Sequence, residues 1–548
     1  MAGPNLVLLA TGSITLFLTF LTLYLSRRTK IPKGLKPLPG PPGLPFIGNT
    51  LQLDPHPQKQ MRAWAKQYGE VFSIGLGGHR WAMICSAQAV KEIMDRQSGS
   101  TSSRPPMPVL SELISGGMRA IAMEYTPQWR MVRNVVHKLL TPKVSDTFKP
   151  SQEFETKQLV WDILTDNKEG GEFYRHCRRY TTSVVMTSTY GKRVGSWNAK
   201  HIKEVYQVMN ELSLCALPGA FWADAFPILA KLPKWLQTWR PRALEYYRNQ
   251  ARIWEDLWNE LQDDIQHNRA PECFVKQVSE VDLQKQGISQ LQGAFIAGTL
   301  IEAGSETTAS TLNGLLKTLA ANPRVQSVAN SHLTRVCGDD RSPTFADEPQ
   351  LQYVRAIVKE IMRMRPVGTI GASHYSTADV VYKDYFIPKN TVIALAQYVV
   401  QYDDRYGDPF VFRPERFMGH TLRAGAYAAA ADPLERDHFG FGAGRRICPG
   451  MHLAENSLFI TAAKILWAFE ILPAIGDDGV EEELDLSDDA FEEGMIVVPK
   501  PFRLRFVPRN KRREEVVRRE WEDAQREGYW WGDVKVDKDG MVVDKKVL

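Results

Sequence analysis

The sequence predicts one large, mainly α domain with small β-sheets at its edges, joined to an N-terminal transmembrane helix. Helical periodicity dominates residues 55–508, and no second linker, repeat or low-complexity stretch divides them. Short runs of β-branched and aromatic residues, Val71–Ile74, Trp81–Ile84 and Val380–Val392, have the pattern of strands. Leu6 to Leu25 runs twenty residues without a charge, about 30 Å as a helix, which matches the hydrocarbon thickness of a bilayer.

Residues 6–25 therefore read as a single-pass anchor. The basic residues Arg27, Arg28, Lys30, Lys33 and Lys36 follow it and place the body of the protein on the cytosolic side. A cleaved signal peptide fits less well, because no basic residue precedes the apolar run and no small-x-small site follows. Residues 26–54 form a basic and proline-rich linker, expected to be a stiff spacer because each proline fixes φ and removes a donor. Residues 55–508 form the domain, and 509–548 a charged, solvated tail with an isolated Tyr529-Trp530-Trp531 cluster. Leu212 to Leu236 is rich in large apolar residues, among them Trp222 and Phe226, which suit either core or a surface dipping into a bilayer.

Composition excludes several classes. With 43% hydrophobic and 24% charged residues the chain is not disordered. The net charge of +5 is spread over 68 basic and 63 acidic side chains, which leaves no stripe for phosphate backbones, so no nucleic-acid partner is expected. The six cysteines are far apart and form no CxxC pair, so neither a zinc site nor a disulfide framework is indicated.

Chemistry concentrates in Phe441-Gly-Ala-Gly-Arg-Arg-Ile-Cys-Pro-Gly450. Cys448 precedes a helical pattern from Met451 to Trp467, with Pro449 expected at its first position. Free backbone donors and the positive helix end there favour a thiolate. Gly444 and Gly450 allow close backbone approach to a flat cofactor, and Arg446 supplies a fork suited to a carboxylate. A phosphate loop is disfavoured because no strand leads into the glycines, and Cys448 with His452 lacks the second pair a zinc site needs.

These residues resemble the haem-binding loop of the cytochrome P-450 family, and four distant motifs support the resemblance in the expected order. Trp129-Arg-Met-Val-Arg133 is similar to its WxxxR motif, Ala303-Gly-Ser-Glu-Thr-Thr308 to its oxygen-groove motif, Glu360-Ile-Met-Arg363 to ExxR, and Pro414-Glu-Arg-Phe417 to PERF. The resemblance implies haem b ligated by Cys448 and contacted by Phe441, Gly444 and Gly450. It further implies propionate contacts from Arg446, Arg133, Trp129 and His374, and a structural network of Glu360, Arg363 and Arg416. It implies a proton relay through Glu306 and Thr307 beside Gly304, with Glu in place of the commoner Asp. Gly304 is expected to leave room for a small ligand, and Thr307 to bond back to a carbonyl.

Ile296, Thr299, Leu300 and Ala303, then Val367 and Ile370, together with Leu110 to Ile121, are the candidate substrate contacts. The implied activity is hydroxylation of a lipophilic substrate with dioxygen and electrons from a separate NADPH-cytochrome P-450 reductase, with cytochrome b5 a further partner. The implied setting is the endoplasmic reticulum membrane, in fungal secondary metabolism. Two alternatives are a haem-thiolate isomerase or dehydratase needing no reductase, and a non-catalytic haem sensor or carrier. Retention of Glu306 and Thr307 argues against both.

Overall fold

The computed structural model describes residues 30–544 apart from 46, 55, 218, 281–286, 493, 495 and 533. The expected membrane span at 6–25 lies outside the described residues, and among these no helix is long and apolar enough to cross a membrane. The longer helices are α1 (Pro57–Tyr68), α2 (Pro127–Leu139), α3 (Lys149–Thr165), α4 (Phe173–Tyr190), α5 (Lys200–Ala216), α6 (Arg240–Gln266), α7 (Gln290–Ala320), α8 (Pro323–Cys337), α9 (Gln352–Met364), α10 (Met451–Ala468) and α11 (Lys511–Glu527). Local chemistry sets their ends. Pro127 opens α2 behind Thr126, whose hydroxyl accepts from Trp129 N, and Ser289 caps α7 in the same way through Gln292 N.

Strands β1 (Val71–Leu76) and β2 (His79–Ile84) form a hairpin, and β3 (His374–Tyr375) and β4 (Thr391–Leu395) complete a sheet in the order β1-β2-β4-β3. Only the β2–β4 pairing is parallel. The core sits among the helices. α10 buries Leu458, Phe459, Ile460, Ile465 and Leu466 on all its faces and packs against α3, α7, α8 and α9, as a helix apolar all round must. α7 lies against α4 on one side and α6 on another.

The proline-rich segment is not a free spacer. Lys36 and Pro37 pair in parallel with Tyr385 and Phe386, and Ser73 N donates to Pro39 O at 2.7 Å. A proline has no N–H to give, but its carbonyl still accepts, and Lys36 supplies the donor, its N–H going to Asp384 O at 2.8 Å.

Nor is the C-terminal stretch a solvated extension. α11 buries Val516, Val517, Trp521 and Ala524, and Trp521 meets Phe154 and Trp161 of α3 with ring centroids 5.5 and 6.1 Å apart. Arg513 is buried as well. It donates to Asp339 Oδ1 (2.6 Å), Asn330 Oδ1 (2.7 Å), Thr334 Oγ1 (2.6 Å) and Trp467 O (2.8 Å), which ties α11 to α8 and to the end of α10. A three-stranded sheet, Tyr529–Trp531, Val534–Asp537 and Gly540–Asp544, follows, with Trp531 buried against Phe148. Trp521→Ala is expected to cost about 3–5 kcal/mol, the range for deleting a buried aromatic, and a thermal melt of the purified variant checks it.

Candidate functional site

The loop before α10 is held by its backbone. Cys448 N donates to Phe441 O and Gly442 N to Phe439 O, both at 2.9 Å. Gly444 has φ 64° and donates to Asp95 Oδ1 at 2.8 Å, and a Cβ on it would stand 2.2 Å from the Met94 carbonyl, so no other residue fits without moving that strand of chain. Pro449 falls outside the helix, whose N-cap is Gly450, so the expected proline at the first helical position lies two residues too early. The Cys448 thiol is half-buried and faces the cavity, whereas the other five cysteines are fully buried. Burial raises its pKa, opposed by the Gly450 backbone N–H and by the charge of Arg133.

Beside the thiol, cations gather without carboxylates. Arg446 donates to Ser102 O (2.8 Å), Ala120 O (3.1 Å) and Met123 O (2.7 Å), with its guanidinium 3.9 Å above the Trp129 ring. Arg133 donates to Ile447 O. The Trp129 indole N–H is taken by Ala120 O at 3.1 Å, so this residue serves as the platform under Arg446 and has no donor left for a ligand. His374, on β3, bonds through Nδ1 with Thr101 O at 2.9 Å.

The sequence reading missed Arg104, which donates to Ile121 O (2.7 Å), Ala372 O (2.6 Å) and Ser373 O (2.6 Å) and lines the same end of the cavity. No motif marks it; only the fold brings it there. Burial, then the neighbouring charges of Arg104 and Arg133, lower Arg446 to about 8, and burial lowers Arg104 to about 10. Burial and the charges of Arg104 and Arg446 hold His374 far below its usual value, so it is neutral.

Opposite the thiol runs α7. The Thr307 hydroxyl donates to Ala303 O at 2.6 Å, one turn back, and the helix stays regular through it. Gly304 lines the cavity, and in its Cβ direction a side chain would stand 2.3 Å from Val185 Cγ1 of α4, so the glycine also permits close helix packing. Glu306 is buried on the α4 side and accepts from Arg178 Nη2 at 2.7 Å, while its Oε2 has no partner among the described residues. Arg178 also lines a second pocket of about 560 Å³ with Glu169, Glu172 and Arg175. The pair thus stands between the wall of the main cavity and an outer, charged recess.

Glu360, Arg363 and Arg416 meet as a fully buried cluster. Arg363 bonds Glu360 through both Nε (2.8 Å) and Nη2 (2.9 Å), and Arg416 Nε and Arg413 N reach the same carboxylate at 2.9 Å. Arg363 Nη1 and Arg416 Nη1 go on to backbone carbonyls at Gln401 and Gly407, which fixes the chain leading to the thiol loop.

All these walls enclose one cavity of about 1220 Å³, with much more apolar than polar surface. Ile296, Thr299, Leu300, Ala303, Val367 and Ile370 all line it, as do Leu110 and Ile121. The turn carrying Phe491 and Ile496 and the α5 residues Met209 and Leu212 do so too and were missed, since nothing in their local pattern differs from ordinary core.

A family model described as Cytochrome P-450 matches residues 38–504. Cytochrome P-450 monooxygenase pgmC of Aspergillus terreus is 41% identical, over 96% of this chain and 95% of that protein. Cytochrome P-450 monooxygenase verL of Clonostachys rogersoniana is 38% identical, over 89% and 90%, and virE of Hypocrea virens 36%, over 92% and 91%. The chain belongs to the cytochrome P-450 family and is a monooxygenase of that family, whose cofactor is thiolate-ligated haem iron.

The residues present fit that cofactor. A thiol sits under the cavity, and three arginines that bond only to backbone carbonyls, Arg104 buried and Arg133 and Arg446 half-buried, stand where two carboxylates would neutralise them.

A titrating group lies two turns beyond the thiol. Glu455 is buried, accepts from Ala424 N at 2.9 Å, and is raised from 4.5 to about 7, chiefly by burial. The folded state therefore holds this proton more tightly than the unfolded chain, and its contribution to stability is lost as pH rises from about 5 through 7. Glu455→Gln keeps the neutral form throughout. It is expected to gain on the order of 1–3 kcal/mol relative to the parent at pH 8 and nothing at pH 4, as read from denaturant melts at the two pH values.

Proposed function

We propose that this chain hydroxylates a lipophilic organic substrate in the 1220 Å³ cavity, using dioxygen and electrons from a separate NADPH-cytochrome P-450 reductase, with cytochrome b5 a possible second donor. The observation that carries this reading is the half-buried Cys448 thiol facing an apolar cavity among arginines that lack carboxylate partners. Cys448 is the iron ligand in this reading, with Arg104, Arg133, Arg446 and His374 around the propionates. Haem held there would supply dioxygen activation, with Cys448 as its electron-donating thiolate ligand.

The remaining chemistry belongs to the chain. The α7 wall and the apolar lining exclude water and orient the substrate. Thr307 presents a hydroxyl whose proton is parked on Ala303 O and is released toward the cavity by a χ1 rotation. Glu306 relays a proton taken up from water in the recess that Arg178 lines, exchanging its bond to Arg178 for one facing the Thr307 hydroxyl. The test is the carbon monoxide difference spectrum of the reduced protein beside Cys448→Ala, followed by turnover with and without reductase. A thiolate-type band lost in the variant, and product only with reductase and NADPH, are expected. Product formed without reductase points to an isomerase or dehydratase instead, and absence of the band from both proteins sinks the reading.

The same reading places the enzyme on the cytosolic face of the endoplasmic reticulum through residues 6–25, within fungal secondary metabolism, to which the fungal sources of its relatives lend support. A second membrane contact is supported by surface composition. Trp222, Ile228 and Trp235 are 65%, 67% and 80% exposed, and Trp222 stacks on Phe226. Gly78 N donates to Ala225 O at 3.1 Å and Gly77 N to Thr50 Oγ1 at 3.0 Å, which brings the exposed Leu51 to the same side. In an anchor-deleted form, Trp222→Ser with Trp235→Ser is expected to lower partitioning into lipid vesicles about tenfold, since each buried indole contributes over 1 kcal/mol; unchanged partitioning in a flotation assay removes this contact.

A further inference from the structure

Beside Thr299 and Ala303 the apolar lining is interrupted by a buried ion pair. Arg119, in the segment between the 108–114 helix and α2, and Glu302, on α7, both line the cavity. Arg119 Nε and Nη2 donate to the two carboxylate oxygens of Glu302 at 2.9 and 2.6 Å. The remaining donors go to Gln250 Oε1 of α6 (2.6 Å) and Ser115 Oγ (3.0 Å), so the guanidinium is almost fully spent. Each Glu302 oxygen takes one bond from Arg119 and keeps a second lone pair. Of the two side chains the glutamate retains more open surface, 7% against 1%.

Stability does not account for this pair. Withdrawing two charges from water costs about as much as their mutual attraction returns, and a well-packed apolar pair of the same volume often holds a fold equally well. What the arrangement does supply is an acceptor fixed in one orientation, at a wall that is otherwise hydrocarbon. Its chemistry is selective. Arg119 already neutralises Glu302, so the pair offers no net negative charge to a cationic ligand. A carboxylate ligand would face the glutamate directly. A neutral hydroxyl satisfies the open lone pair at no charge cost.

Taking the cavity as the substrate chamber, as the proposed function does, we infer that Glu302, held by Arg119, is a specificity-determining acceptor for a hydroxyl on an otherwise apolar substrate, a phenol or an alcohol. The hydroxyl anchors one end of the molecule beside Thr299 and Ala303, and so fixes which carbon is presented toward the thiol side.

The test uses the full-length holoprotein and two probes differing only at the oxygen, 4-phenylphenol and its methyl ether, with binding followed by equilibrium dialysis and haem difference spectra. In a purely apolar cavity the ether binds a few-fold tighter through its extra methyl. The phenol is expected to bind roughly 10- to 100-fold tighter, the range for a hydrogen bond to a charged acceptor. The double variant Arg119→Met with Glu302→Leu removes both charges without orphaning either, and the preference is expected to vanish in it. If the double variant does not fold, Glu302→Gln gives the same readout, with the preference reduced at least several-fold.

Equal or ether-favoured binding in the parent protein, binding of neither probe, or a preference that survives the substitutions overturns the inference. A lower Tm with the preference intact assigns the pair a structural role and overturns it too. The carbon monoxide band is recorded on the same preparation. Its absence overturns the haem-thiolate reading and this inference with it, whereas a normal band with no phenol preference overturns this inference alone.

Discussion

Arg104, Arg133 and Arg446 share one end of the cavity, and the positive charge they gather there is balanced by nothing in their immediate hydrogen bonding. Each guanidinium pays for burial, and each raises the cost of the others, which is why Arg446 falls to about 8. The fold holds them in place by backbone carbonyls drawn from distant segments: Ser102, Ala120 and Met123 for Arg446, Ile121, Ala372 and Ser373 for Arg104, and Ile447 for Arg133. Carbonyl dipoles orient a guanidinium without discharging it, so the site keeps its affinity for an anionic group. Much of the architecture follows from this. The edge strand with His374, the platform of Trp129, and the loop at Gly444 threaded against Met94 all serve to bring those carbonyls together.

The same logic distinguishes the two sides of α7. Lining the cavity are small and apolar residues, several hydroxyls including Thr299 and Thr307, and Glu302 held by Arg119; facing α4 is a charged pair, Glu306 with Arg178. Adjacent residues on a helix point about 100° apart, so an acid beside a hydroxyl in sequence is directed to a different neighbour in space. Tyr206 of α5 stands near this pair, its phenol held protonated by burial and by the charge of Glu306. The acid therefore belongs to a polar seam between helices, and the hydroxyl to the chamber.

What the sequence revealed about these parts depended on how local their causes are. The thiol loop, the Glu360–Arg363 spacing and the small sheets were legible because a few neighbouring residues determine them: an N-terminal helix position for Cys448, an i, i+3 pair, and β-branched alternation. Arg104 was not legible, because it becomes part of the site only when two other chain segments, at Ile121 and at Ala372–Ser373, close over it. Gly304 was legible as special, but its packing against Val185, more than a hundred residues away, was not. The C-terminal stretch failed for a different reason. In α11 the buried positions Val516, Val517, Trp521 and Ala524 recur at helical spacing, but they are few among many arginines and glutamates, and the charge hid an amphipathic helix.

That terminal helix changes how the centre of the molecule behaves mechanically. α10 runs eighteen residues, about 27 Å, with the thiol loop at one end and Trp467 at the other, where Arg513 grips its carbonyl. The helix is thus a beam supported at both tips rather than a rod free at one. Residues 511–544 act as the far abutment, and a tag or electron-transfer domain fused beyond them is attached to a structural support whose load path leads back to the sulfur.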